Sequence, residues 1–322
     1  MTGRILSPEE IAVRAGRADP FLRLPDATVF AEREMRLRQR AAGHAMREYL
    51  LFIADVAHAQ HELLQQLVAL QLPDVAQVEL AANAGVPLLP ADVFPREAAW
   101  REGLRALLDK LLARTAAVPA LAMLATLREA DDAHLDMQAQ RLLNGVMLGL
   151  DLGSAPLIGA ALQLHWVRLV SQTQAAHGQA RVVPFGRTDV PTLCPCCGSR
   201  PVAAITRLGA ELSGTRYLHC SLCAAEWHYV RIKCTHCQNT KGIHFQELEG
   251  GTHAAQAECC DECGHYLKIV HMEKDHQVDP VADDLASLTL DLLVSETGLQ
   301  RSGVNLMLLF GDPEPPPDPG GP

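Results

Sequence analysis

Aromatic residues make up only 4% of this 322-residue chain, against 48% hydrophobic residues overall. A body so poor in rings and rich in alanine and leucine points to helices. Positive charge is also short. Lys and Arg number 28 against 38 Asp and Glu, a formal charge of -10, so bulk charge offers no basic face for nucleic-acid phosphates. Met1–Glu10 lacks a basic region leading into an apolar run, so no secretory signal is read there. No uncharged apolar run reaches about 18 residues. Met147–Val170 comes nearest, and Asp151, Gln163, His165 and Arg168 interrupt it. No nucleophile–base pair and no Gly-rich phosphate loop is visible, so a binding protein is expected rather than an enzyme. A cytoplasmic location, where thiols stay reduced, suits these absences.

Cysteine is absent before Cys194 and after Cys263, and all ten lie between. Eight form Cys-x-x-Cys pairs: Cys194/Cys197, Cys220/Cys223, Cys234/Cys237 and Cys260/Cys263. Adding 40 to each position of the first two pairs gives the last two, an internal repeat with the spacing C-x2-C-x22-C-x2-C. One Cys-x-x-Cys turn aims two sulfurs at an ion and a second completes a tetrahedron. Thiolates are soft ligands, so each copy is read as a four-cysteine site for zinc or iron, two ions per chain. Four disulfides would suit a small secreted protein. A redox pair would sit in a βαβ pattern, and the flanks here are strand-like. Cys196 and Cys259 make the ligand choice ambiguous. The 40-residue register favours Cys197 and Cys260, leaving the other two as spare thiols. Gly198 and Gly264 each follow a second ligand, where glycine suits the tight turn.

In order along the chain, Ser7–Glu10 reads as a capped helix start with Pro8 at the first helical position. Residues 28–70 are helical, with Leu50, Ile53, Ala54, Ala57, Leu64 and Leu67 on one face and Gly43 as a divider. Residues 72–95, with Pro73, Pro87, Pro90 and Pro95, read as a connection. Helices follow near 96–114, 118–129, 131–149 and 155–175. Trp100 and Trp166 are read as packing residues, and His44, His58, His61, His134 and His165 as ordinary surface or capping ones. In the first copy, Val202–Arg207, Arg216–His219 and Trp227–Lys233 read as strands, with a turn at Gly209–Gly214. The second places Ile243–Glu249, Gln256–Glu258 and Tyr266–Met272 at matching offsets. Asp279–Asp284 leads into one last helix ending near Glu296, with Asp283 and Asp284 facing its dipole. The expected fold is α+β: a helical domain (1–177), a linker (178–190), two tandem rubredoxin- or zinc-ribbon-like modules (191–233 and 234–276), a C-terminal helical segment (277–310) and a disordered tail (311–322). Modules of about 40 residues bury too little apolar surface alone, so metal should supply much of their folding free energy.

The wording of the motifs is specific. It runs Cys194-Pro195-Cys196-Cys197-Gly198-Ser199-Arg200-Pro201-Val202, then His219-Cys220-Ser221-Leu222-Cys223, Glu226-Trp227-His228 and Val230-Arg231-Ile232-Lys233-Cys234. It closes on Tyr266-Leu267-Lys268-Ile269 and Asp283-Asp284-Leu285-Ala286-Ser287-Leu288. This ordered set closely resembles the FdhE family of formate dehydrogenase formation (accessory) proteins, and Phe30-Ala31-Glu32-Arg33 and Glu48-Tyr49-Leu50 agree with its helical part. The resemblance implies a cytoplasmic factor needed for active respiratory formate dehydrogenase. Such a factor is thought to bind the molybdenum- and iron–sulfur-containing catalytic subunit before its twin-arginine export. It also implies rubredoxin-like modules with iron, and the eight pair cysteines match its motif positions.

Two other readings attach to the same residues. Iron in four thiolates can carry one electron, which gives a redox role compatible with the first reading. A zinc-ribbon nucleic-acid binder would use Arg200, Arg207, Arg216, Arg231, Lys233 and Lys241; the opposing reading is that these cations offset the metal–thiolate charge and solvate the surface. Eight of the fourteen histidines lie between His219 and His276, at no spacing that prefers them to cysteine as ligands.

Overall fold

Apolar residues at three- and four-residue intervals build the first half of the chain. The computed structural model describes residues 19–115, 118–208, 213–250 and 253–309. The Ser7–Glu10 helix start, most of the Gly209–Gly214 turn and the 311–322 tail lie outside the described residues. After a two-residue strand β1 (Leu22–Arg23) come helices α1 (Val29–Ala41) and α2 (Arg47–Leu64), divided by Gly43 at φ +69°. Leu50, Ile53, Ala54 and Ala57 are buried as their spacing predicts. Leu67 is not, because α2 stops at Leu64 and leaves it fully exposed. The connection expected over 72–95 contains a helix, α3 (Val75–Ala84). Asp74 accepts from the Gln77 amide, the Gln77 side chain accepts from the Asp74 amide, and Gly85 closes the helix in the left-handed region. The flanking prolines mask a ten-residue helix with both ends capped.

Helices α4 (Ala98–Leu112), α5 (Val118–Glu129), α6 (Asp132–Leu143) and α7 (Ala155–His177) complete the body. Helix α7 is buried on every side from Leu157 to Val170 because α2, α4 and α6 surround it. Both tryptophans pack as expected, and each also uses its indole N–H: Trp100 donates to Asp136 and Trp166 to the Leu89 carbonyl.

The two repeats supply three strands each. The first gives β2 (Pro201–Leu208), β3 (Ser213–Cys220) and β4 (Glu226–His228); the second gives β5 (Ile243–Gln246), β6 (Ala255–Cys260) and β7 (His265–His271). Each triplet is antiparallel, and parallel pairing of β2 with β7 (Ala204 opposite Ile269) fuses them into one sheet, β1-β4-β3-β2-β7-β6-β5. The repeats therefore join head to tail, and the third strands differ. Strand β7 lies between β2 and β6 and runs seven residues, whereas β4 ends at His228 instead of reaching Lys233. The chain turns there through Ile232 at φ +55°.

The single closing helix is two, α8 (Pro280–Ala286) and α9 (Leu288–Glu296). Ser287 separates them, its hydroxyl donating to the Asp283 and Asp284 carbonyls. Strand β8 (Gln300–Arg301) then pairs with β7. Asp279 caps α8, and Asp283 stands in its first turn as expected, accepting from the Asp279 amide at 2.9 Å. Asp283 takes the Arg36 guanidinium of α1, with contacts of 2.7 to 3.1 Å, and Asp284 takes Lys268 of β7 and Arg301 of β8. Burial raises the Asp283 carboxyl even with Arg36 beside it. These buried pairs fasten the C-terminal helices to the helical body on one side and the sheet on the other.

Candidate metal centres

Each Cys-x-x-Cys pair forms a tight knuckle. The amides of Gly198, Gln238 and Gly264 donate to the carbonyls of Cys194, Cys234 and Cys260, at 2.8, 3.1 and 2.9 Å. The residue after each second cysteine has positive φ at all four knuckles: Gly198 (+72°), Ala224 (+57°), Gln238 (+62°) and Gly264 (+68°). Two positions use glycine, as their sequence suggests. Ala224 and Gln238 reach the same conformation against the Cβ clash that disfavours it.

These turns gather the sulfurs into two groups, Cys194/Cys197/Cys220/Cys223 and Cys234/Cys237/Cys260/Cys263, with all sulfurs of a group within 4.8 Å of one another. In the first, Cys194–Cys223, Cys197–Cys220 and Cys197–Cys223 stand at 3.5, 3.4 and 3.6 Å. In the second, Cys234–Cys263 and Cys237–Cys260 stand at 3.7 and 3.8 Å. Four sulfurs about 2.3 Å from a tetrahedral zinc ion lie roughly 3.8 Å apart, so both groups have the dimensions of a tetrathiolate site. Backbone amides aim at the sulfurs: Leu222 and Cys223 at Cys220, His236 and Cys237 at Cys234. Such bonds spread thiolate charge.

The groups differ in surroundings. All four sulfur-bearing residues of the first are buried, in the same apolar core as the helices. The Leu89 and Ala91 amides donate to the Cys196 and Cys197 carbonyls, and Gln163 of α7 donates to the Ser221 carbonyl. In the second, Cys237 is exposed and Cys263 half-buried. The rings of His236 and His265 stack beside it, 3.7 Å between centroids. In the first group burial pushes the Cys194, Cys220 and Cys223 thiols well above the ordinary cysteine value, whereas at Cys197 burial is outweighed by sulfur contacts led by Cys194, which draw the thiol well below it. Four charged sulfurs in that space therefore need a cation among them. At the second group, a hydrogen bond from the Asn239 backbone leads in drawing the Cys237 thiol down.

Cys196 and Cys259 belong to neither group, yet both are fully buried. Cys259 faces the small core under α9, where burial lifts its thiol to about 11. Among the described residues no third such group of histidines, cysteines or carboxylates occurs, so the scattered histidines form none. His44 meets the Ala286 carbonyl and His58 lies between Glu34 and Glu62. Of the six cations considered for nucleic acid, Arg207 forks onto Glu226 at 2.6 and 2.7 Å, and Arg216 pairs with Glu258 at 2.9 Å, both partners buried. These two are engaged inside the protein. Burial alone would raise Glu226, but His219 and Arg207 outweigh it and bring its carboxyl down to about 2. No local pattern announces this Arg207–Glu226–His219 trio, whose members are up to 19 residues apart on three strands. It walls a cleft of about 750 Å³ between α1, the end of β1 and residues 272–280.

Three family models, described as the FdhE N-terminal, central and C-terminal domains, match residues 19–181, 193–231 and 232–308. The chain belongs to the FdhE family. Named FdhE proteins resemble it along nearly their whole length. One from Salmonella arizonae is 37% identical over 322 residues, covering 98% of this chain and all of the relative. A protein FdhE homolog of Cronobacter sakazakii is 38% identical over 89% of this chain and 90% of its own. The crystal structure of the FdhE protein from Pseudomonas aeruginosa aligns with a TM-score of 0.82 at 38% identity, covering 91% of this chain and all of that one. The central and C-terminal FdhE models meet between Arg231 and Ile232, inside the turn that links the two cysteine groups. No helix among the described residues is long and apolar enough to cross a membrane.

Proposed function

We propose that this protein is an accessory factor for the formation of active respiratory formate dehydrogenase, binding the enzyme's catalytic subunit in the cytoplasm before export. The observation that carries the reading is the pair of tetrathiolate-sized groups in a chain that is FdhE-like from residue 19 to 308. The eight cysteines Cys194, Cys197, Cys220, Cys223, Cys234, Cys237, Cys260 and Cys263 hold two ions, iron or zinc, four sulfurs to each. When bound, iron in such a site supplies one-electron chemistry and zinc supplies structure alone. The residues themselves do the rest. The knuckle amides fix the sulfurs, the left-handed residues close the turns, and four protein ligands per ion leave no position open for a substrate. That set of ligands favours holding and presenting a partner over hydrolysing one.

Affinity capture of the tagged protein from anaerobically grown host cells tests this, with a Cys234→Ala/Cys237→Ala variant as control. The catalytic subunit of formate dehydrogenase should be recovered with the wild-type protein and reduced with the variant. Recovery of RNA or ribosomal proteins in its place would overturn the reading.

A further inference from the structure

The cleft beside the Arg207–Glu226–His219 trio lies where the three FdhE domain models meet. Val29, Glu32, Arg36 and Gln39, at helical spacing on one face of α1, form its first wall. His219 of β3 and Glu226 of β4, paired across the ladder and so on one face of the sheet, form the second. Residues 276–280, ahead of and entering α8, close the third side. These parts fall in the N-terminal, central and C-terminal models respectively. A volume of about 750 Å³ at a domain junction has the size and the place of a small-molecule site.

One atom on its wall is left without a partner. His219 is 3% exposed, and its Nδ1 lies 3.0 Å from Glu226 Oε1. An ionised carboxylate only accepts, so Nδ1 carries the hydrogen. Arg207 forks onto the same carboxylate and neutralises it, so the imidazole needs no charge of its own. Nε2 is then a bare lone pair, buried and unpaired within the protein. A metal ion would need further ligands around it, and no third group of histidines, cysteines or carboxylates occurs among the described residues. The partner that fits is a hydrogen-bond donor.

The charges select which donor. Each arginine on the walls already faces a carboxylate: Arg36 meets Asp283 and Asp275, and Arg207 meets Glu226. Arg23, whose Nε is also unpartnered, lies over the Tyr217 ring and faces Asp19 at 3.7 Å, so it adds no net charge. Asp26 and Glu32, both exposed, form no ion pair among the described residues; their hydrogen bonds come from Thr28. Their uncompensated charge repels an anion and attracts a cation. Leu24, Val29, Met35 and Val278 supply apolar wall for a carbon stem.

We propose that this cleft binds an alkyl cation with N–H donors, a guanidinium or primary ammonium on a carbon stem, which donates to His219 Nε2 in the field of Asp26 and Glu32. The site goes beyond the client-binding reading and does not rest on it. A free small molecule and a basic side chain of a bound protein would present the same chemistry.

Isothermal titration calorimetry of the metal-loaded protein with butylguanidinium tests this, against pentanamide and pentanoate, a neutral and an anionic molecule of similar size. Butylguanidinium should bind one per chain and at least about tenfold more tightly than either. The double variant Asp26→Asn/Glu32→Gln should weaken it about tenfold, leaving pentanamide binding and metal content unchanged and the melting temperature nearly so. In nitrogen-15 histidine spectra one imidazole Nε2 resonance should move on titration and be missing in His219→Phe. Where His219→Phe loses metal, the double variant decides alone. Tighter binding of pentanoate, or equal binding of butylguanidinium by the double variant, overturns the site. No saturable binding of butylguanidinium overturns it as well and leaves the lone pair to water. Displacement of the purified formate dehydrogenase catalytic subunit by butylguanidinium would support the site with a side chain of that subunit as its cation. Saturable butylguanidinium binding that leaves the subunit in place would support it with a free small molecule.

Discussion

The two cysteine groups share their spacing, knuckle turns and sulfur separations, yet stand in opposite surroundings. The first is sealed in the core that unites the helices with β2, β3 and β4, whereas the second lies at the far end of the sheet with Cys237 in solvent. One repeated unit thus takes on two physical characters according to what covers it. The first centre is a structural tie, since its loss would uncouple the sheet from the helical body. The second can fray without disturbing that body, and it is the one that solutes and partners can reach.

Removing one ligand from each centre gives the largest contrast. Cys220→Ala should lose one ion per chain and with it a structural contribution on the order of 10 kcal/mol, comparable to a whole domain's margin, so that most of the chain is no longer recovered folded. Cys260→Ala should also lose one ion but keep hydrogen-exchange protection in α2, α4 and α7. Equal loss of helical protection in both would end the distinction between tie and appendage. Acid tests the support of the first centre. Burial, helped by Arg168 and Arg96, brings His165 of α7 down to about 4. The unfolded chain binds that proton near the ordinary value of 6.5 while the folded chain does not, so stability present above 6.5 falls as pH drops toward 4. About 3 kcal/mol is at stake. Denaturant melts of wild type and His165→Gln at pH 7.5 and 4.5 should show the variant losing much less; identical losses would exclude His165 as the cause. A chelator should next extract one ion per chain at least about tenfold faster than the other, with Cys260→Ala lacking the fast phase. Release of both in one phase would place the two centres in one cooperative unit. The smallest effect concerns the knuckles. Gln238→Gly and Ala224→Gly should each raise stability by about 1 kcal/mol, read as a thermal shift, by removing the left-handed Cβ clash. A fall at either site would show that its side chain stabilises more than its backbone conformation costs.

The arrangement of the sulfurs was legible because the signal is local and doubled: a four-residue turn repeated at a fixed offset leaves little freedom in how the cysteines meet. The helical half was legible through periodicity, apart from α3, whose Asp74–Gln77 box lay hidden among prolines. What the chain did not disclose is everything set by distant partners. Asp283 is the helix-start carboxylate its position suggests, but its partner Arg36 lies 247 positions away and leaves no local sign. The pairing of β2 with β7 leaves no mark in either strand beyond burial on both faces, and the end of β4 depends on Arg216 holding a turn that its own residues disfavour. The contrast between the two centres was illegible for the same reason, because identical spacings say nothing of what folds over them.

The Arg36–Asp283 pair also has a consequence in time. Helix α1 leaves the ribosome early, carrying Arg33 and Arg36, both of which the finished protein buries. The carboxylate that takes Arg36 follows 247 residues later, roughly 10 to 50 seconds at ordinary elongation rates. Until then the helical body cannot close over those guanidinium groups without stranding a charge in its core. The nascent chain is therefore held open until almost all of it exists. A copy truncated before Asp275 lacks Asp275, Asp279 and Asp283, the carboxylates that meet Arg33 and Arg36, so closure itself reports that synthesis has reached the segment entering the C-terminal helices.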